Sequence, residues 1–176
     1  MMMPATASSL LRVLRKQRMC AAAAAFGMAV LAGSAAASAA DGPFAGLEGV
    51  WGGNGTVTYS SGTRERLHCR VQYIQANPDN LQQALRCASD SYKFQINAYF
   101  QHDAGNLTGH WAELTMNVSG TITGTVQNGH IQGTLHGPGF VATVLVDTRG
   151  NNQTVTISSA DQEIRQVAIQ VSRSSN

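Results

Sequence analysis

The chain has 176 residues, 43% of them apolar and 12% charged, with a formal net charge of +2 at pH 7. Four of its twelve basic residues lie in the first 18 positions, and all ten acidic residues lie beyond position 40. Without the first 40 residues, 136 remain, with eight basic groups against ten acidic ones; a formal charge of −2 excludes a polybasic protein built for nucleic acid or an anionic membrane.

The first segment has the pattern of a cleavable export signal. Arg12, Arg15, Lys16 and Arg18 form a basic region, Met19 to Leu31 an apolar run, and Gly33 to Ala40 a small-residue stretch. The expected cut follows Ala40, leaving a single domain over 41–176 in the periplasm or outside the cell. No later stretch approaches the ~18 apolar residues of a spanning helix. Cys20 precedes the apolar run and is expected to leave with the signal. Cys69 and Cys87 remain, and in an oxidising compartment an isolated pair is expected to form a disulfide. A thiol or metal pair is the rival reading, without the Cys-x-x-Cys spacing or histidine pattern that would favour it.

Alternation of period two then runs almost to the end of the chain. Val50 to Tyr59 places Trp51, Val57 and Tyr59 on one side. Arg66 to Ile74 places Leu67, Cys69, Val71 and Tyr73 on one face, with Arg66, His68, Arg70 and Gln72 opposite. Asn77-Pro78-Asp79-Asn80 is a turn, and Leu81 to Asp90 returns with Leu81, Leu85 and Cys87 in step. A helix over Pro78 to Ala88 is the alternative there. If the turn holds, Cys69 and Cys87 are equidistant from its centre and directly opposed, as a cross-strand bridge requires.

Tyr92 to Phe100 and Leu107 to Leu114 flank an Asp103–Asn106 turn. Val118 to Gln127 and His130 to His136 flank Asn128-Gly129, a strong two-residue hairpin signal. Phe140 to Asp147, Thr154 to Ser158 and Arg165 to Arg173 complete about ten short strands joined by tight turns. Such a chain is expected to be all-β, an antiparallel up-and-down β-barrel of about eight to ten strands. Closure removes exposed edges, and glycines within strands suit the bends of a small barrel wall.

Gly49-Val50-Trp51 opens the first strand and Arg173 closes the last. This resembles the Gly-x-Trp signature of calycin barrels, the lipocalins, avidins and nitrobindin-like proteins. The resemblance implies that Trp51 plugs one end of the barrel and that Arg173 lies over it. Leu107-Thr-Gly-His-Trp111, Ile122-Thr-Gly-Thr-Val126 and Ile131-Gln-Gly-Thr-Leu135 look like strands of avidin-like barrels. The whole region also looks like a group of exported alphaproteobacterial proteins. The long terminal helices of typical lipocalins are missing. No histidine in the last strands matches a nitrobindin-type haem ligand, and no cofactor is expected.

Glu65, Glu113 and Arg165 fall on inward registers and are candidates for a polar anchor in a ligand cavity. Tyr59, Tyr73, Phe94 and Trp111 are candidates to line it, although side chains of this size can also fill a small barrel. The five histidines are scattered without metal-ligand spacing, and no metal site is expected. Nucleophile motifs are missing. An enzyme built on His110 and Glu113 is the weakest of three readings. The first is non-catalytic binding of a small apolar or amphipathic molecule. The second is a barrel that binds an exported protein through its loops, such as a lysozyme or protease inhibitor.

Overall fold

The computed structural model describes residues 42–175. The expected export signal and its cleavage site lie outside the described residues. The chain forms ten strands in order: β1 (Gly49–Tyr59), β2 (Arg64–Asn77), β3 (Asn80–Ala88), β4 (Lys93–Asp103), β5 (Asn106–Glu113), β6 (Val118–Gln127), β7 (His130–Gly137), β8 (Phe140–Arg149), β9 (Asn152–Ser158) and β10 (Ile164–Arg173). Each pairs antiparallel with its neighbour in sequence, and β1 pairs with β10 to close the barrel. The up-and-down barrel read from the alternation is therefore the fold. The alternative helix over Pro78 to Ala88 does not form: Pro78 and Asp79 make the turn and Asn80–Ala88 is a strand, with Leu81, Leu85 and Cys87 buried on one side.

The turns follow from their residues. Asn128 (φ 51°) and Gly129 (φ 75°) both take positive φ, as a tight two-residue hairpin needs. Ala104 and Gly105 do the same at the β4–β5 turn, where alanine replaces the better-suited asparagine. The β2–β3 hairpin carries an irregularity between Gln75 and Asn77, which lets the Asn77 side-chain oxygen accept from Asp79 N–H at 3.0 Å and from the Asn80 amide at 2.8 Å.

Inward side chains form one core that includes Trp51, Val57, Leu67, Val71, Leu81, Leu107, Ile122, Ile169 and Val171. Full burial of such side chains contributes about 1.5–3 kcal/mol each before conformational entropy is counted. The two barrel ends differ. At one end the chain before β1 folds inward, and Phe44 and Leu47 are fully buried. The Trp51 indole N–H donates to the Leu47 carbonyl at 2.8 Å, and Gly129 N–H donates to the Pro43 carbonyl at 3.0 Å. Arg173 donates to the carbonyls of Glu48 and Gly46 while lying 4.2 Å over the Trp51 ring. Tyr73 and Gln153 complete this end, with the Tyr73 hydroxyl donating to Gln153 Oε1 at 2.9 Å. This end is plugged.

Candidate functional site

The opposite end carries the β1–β2, β3–β4, β5–β6, β7–β8 and β9–β10 connections. Leu135, Ile157, Ile164 and Val167 pack against the core there and are only partly buried. Phe140 joins them, its ring 5.8 Å from that of Trp111. Leu114 and Met116 on the β5–β6 turn are more than half exposed. The mouth is therefore apolar on its β5 to β10 side and solvent reaches it.

Its β1–β4 side is polar. Tyr59 hydroxyl donates to Glu65 at 3.0 Å, and Ser91 donates to the same carboxylate through its hydroxyl and its backbone N–H. The hydroxyls of Ser89 and Ser91 hold the Glu65 carboxyl down at about 2, so it is ionised at neutral pH. Desolvation and the adjacent Glu65 push the Tyr59 phenol up.

The predicted site residues separate. Tyr59 is partly exposed at the mouth, whereas Trp111 is buried with its ring against Phe140. Phe94 is buried, 6.0 Å from the ring of Tyr92. Tyr73 is a correction: it lies at the plugged end, away from the mouth, buried and hydrogen-bonded to Gln153. Burial also pushes its phenol up. Glu113 faces inward as expected, and its carboxylate is already engaged by the backbone. Its carboxylate accepts backbone N–H groups from Gln95 at 2.9 Å, Thr115 at 3.0 Å and Met116 at 2.6 Å. It ties the β5–β6 turn to β4. Burial raises its pKa, but these hydrogen bonds outweigh that effect and leave it lowered.

Arg165 is the second full correction. Thr58 pairs with Gln166 and Tyr59 with Ile164, so Arg165 is the extra residue of a β-bulge. The bulge cancels the alternation that pointed Arg165 inward, and its side chain is exposed. His110 and Glu113 also cannot act together, since His110 points outward and Glu113 inward. Trp51 and Arg173 meet as the calycin resemblance implied, and Cys69 and Cys87 form the disulfide with Cα atoms 4.1 Å apart.

Sequence reasoning missed the outer wall. Register aligns Gln72, Ala84, Asn97, Ala112 and Ser119 across β2–β6. This row floors a groove of about 590 Å³. Ile74, Gln82, Tyr99 and His110 bound it on one side. On the other side runs Arg70 opposite Arg86. Beyond that pair a second depression of about 350 Å³ is lined by His68, Arg70, Arg86, Ala88 and Lys93. The net charge of −2 had argued against a basic surface, but the fold concentrates cations on one face. Among the described residues, no group of three or more His, Cys, Asp and Glu side chains is placed to hold a metal ion.

No protein-family model matches the chain, and no curated protein matches it by sequence. Its fold is similar to that of the crystal structure of Rv2717c from M. tuberculosis, at 13% identity and a TM-score of 0.60, with 76% of this chain and 94% of that chain covered. A looser likeness exists to the S-type phycobiliprotein lyase CPES from Guillardia theta, at 10% identity and a TM-score of 0.48, covering 73% of this chain and 89% of that one. A de novo designed fluorescence-activating β-barrel gives a TM-score of 0.43 at 10% identity, covering 72% of this chain and 93% of that one. At these identities the likeness concerns the fold alone, a closed antiparallel β-barrel.

Proposed function

We propose that this is an exported barrel of the periplasm that binds a small apolar or amphipathic molecule at its open end, without catalysis. The observation that carries the reading is the asymmetry of the two ends. One is sealed by Phe44, Leu47 and Trp51, while inward apolar side chains at the other keep solvent exposure. Apolar surface left wet inside a barrel is stabilised by an apolar ligand that covers it.

The ligand's body would lie against Leu135, Phe140, Ile157 and Ile164. A polar head would meet the Tyr59–Glu65–Ser91 group. Glu65 is ionised and accepts hydrogen bonds, so it favours a head that donates them over an anionic one. Export in the manner of the alphaproteobacterial group fits the disulfide, which persists in an oxidising compartment.

The test uses Nile red, a neutral dye whose emission shifts to the blue in apolar surroundings. Saturable binding with one site per chain is expected, and Leu135→Glu should weaken it by about tenfold or more. Leu145→Glu, a substitution on the outer wall, should leave it unchanged. A folded protein that gives no saturable binding would overturn the proposal. So would equal binding by the Leu135→Glu protein with an unchanged melting temperature. Amino-terminal sequencing of the protein from the periplasmic fraction should begin at Asp41; recovery of the uncut chain from the cytosol would overturn the export reading.

A further inference from the structure

Five of the eight basic side chains that follow residue 40 stand on one outer face of the barrel: Arg64, Arg66, Arg70, Arg86 and Lys93. The first three lie on the outward register of β2, pointing away from the lumen, and His68 fills the position between Arg66 and Arg70. All five are exposed. None is in an ion pair with a described residue; the described pairs are His102–Asp79 and Arg149–Asp147. The outward neighbours of β2 on β1 are Asn54, Thr56 and Thr58, and the outward residues of β4 include Gln95 and Asn97. None of these is acidic. Glu65 is on the same strand, but its carboxylate is held by Tyr59 and Ser91.

The arrangement opposes its own fold. Arg70 and Arg86 sit directly across from each other in the β2–β3 ladder, next to the Cys69–Cys87 pair. Like charges in that position destabilise a sheet. Lys93 faces Ala88 from β4, and His68 faces Ala88 from β2. The methyl-sized Ala88 leaves a depression of about 350 Å³ between the four longer side chains. Guanidinium groups bind phosphate and sulfate through paired N–H donors, and an ammonium adds a point charge. An anion between Arg70 and Arg86 would turn the repulsion into attraction on both sides.

The geometry points to a second binding site here, for a ligand that carries at least two phosphate or sulfate groups. Arg70 and Arg86 clamp one group. Lys93 and His68, across Ala88, take the other. Arg64 and Arg66 extend the field along β2. The site lies on the outside of the wall and does not depend on what enters the mouth.

Calorimetric titration of the purified protein with pyrophosphate and with inorganic phosphate tests this. Pyrophosphate should bind, weaken as salt is raised, and exceed inorganic phosphate by about tenfold or more. Arg70→Gln with Arg86→Gln should cut the pyrophosphate affinity by at least about tenfold. The melting temperature of that double variant should stay equal or rise, because a like-charge pair has been removed. Arg149→Gln, a control away from the site, should change nothing. Vesicles of phosphatidylglycerol and phosphatidylcholine identify the source of the anion. Co-sedimentation that pyrophosphate competes away and the double variant lacks makes it a lipid headgroup. Pyrophosphate binding without co-sedimentation makes it a soluble ligand. No pyrophosphate binding at low salt overturns the site, as does binding equal in the double variant. A single-stranded oligonucleotide that binds where pyrophosphate does not overturns it in favour of an extended polyanion track.

Discussion

The Arg173 guanidinium lies 4.2 Å over the ring of Trp51, and the two residues are directly paired between the last strand and the first. The same guanidinium donates to the carbonyls of Glu48 and Gly46, on the segment that carries Leu47 into the plugged end. One side chain therefore joins the seam of the barrel, its central tryptophan and its plug. Arg173→Ala should cost about 2–3 kcal/mol, from the cation–π contact and the charged hydrogen bonds together. That corresponds to a fall in melting temperature of about 5–12 °C. Arg173→Lys should recover part of it, since an ammonium keeps the charge but cannot fork to two carbonyls and stay over the ring. Thermal unfolding followed by tryptophan fluorescence checks both. A melting temperature unchanged in Arg173→Ala would show that the plug holds without this contact.

The Cys69–Cys87 bridge closes the β2–β3 hairpin over 18 positions. In the chain-entropy view such a loop contributes about 3 kcal/mol by restricting the unfolded state. Cys69→Ala with Cys87→Ala should lower the urea midpoint accordingly, and added reductant should do the same to the native protein. The barrel should remain, because its core spans all ten strands. Urea titrations with and without reductant decide it. Coincident curves would mean that the bridge adds nothing to equilibrium stability.

The hairpin symmetry that places this bridge places a second pair beside it. Cys69 and Cys87 are equidistant from the turn centre, and so are Arg70 and Arg86, which the ladder sets face to face. The alternation put Arg66, His68 and Arg70 on the outer face, so the signal for the cationic wall was present in the sequence but went unread. A net charge of −2 concealed it, because net charge says nothing about how charges segregate. The ten strands and their order were readable because each buries one face and is ended by turn residues. Arg165 was misplaced because a bulge adds one residue without altering the composition that alternation relies on. Phe44 and Leu47 went unread as a plug, since a single turn of chain has no period to detect. The orientation of Glu113 was legible from its register with Trp111. Its use as a turn anchor was not, because the donors are backbone N–H groups with no side-chain signature.

Two carboxylates set the acid limit of the fold. Glu65 and Glu113 both have pKa values below the ordinary 4.5, Glu65 at about 2. Each is more acidic folded than unfolded, so its contribution is complete above the unfolded value and is lost as pH falls through the folded one. Stability should therefore decline between pH 4.5 and 2. Glu65→Gln should flatten the slope in that window. Glu113→Gln should flatten it as well and also weaken the protein at pH 7, by about 1–3 kcal/mol, because one amide oxygen cannot serve three N–H donors. Unfolding by urea at a series of pH values checks the slopes. Parallel acid limbs in the native and Glu65→Gln proteins would remove Glu65 from this role.

The buried Trp111 ring has room beside Phe140 because Gly120, its direct partner on β6, has no side chain. A Cβ at position 120 would stand 2.8 Å from Trp111 Cζ2 and also collide with the carbonyl of His136. The indole lies over this bare backbone, donates to the Thr121 carbonyl at 3.2 Å and meets Phe140 on β8. Gly120→Ala should force the indole off this seat or push β6 outward. Since His136 contributes backbone there, the strain cannot be relieved by a rotamer change alone, and a cost of about 1–3 kcal/mol is expected. Trp51, fully buried at the plugged end, keeps its emission and serves as the internal reference. The Trp111 contribution to the fluorescence should shift to the red as the ring gains water, and Nile red binding at the mouth should fall with it. Loss of stability with an unchanged Trp111 spectrum would mean that the wall yields before the ring. The mouth would then keep its shape, and dye binding should survive in the Gly120→Ala protein below its melting temperature.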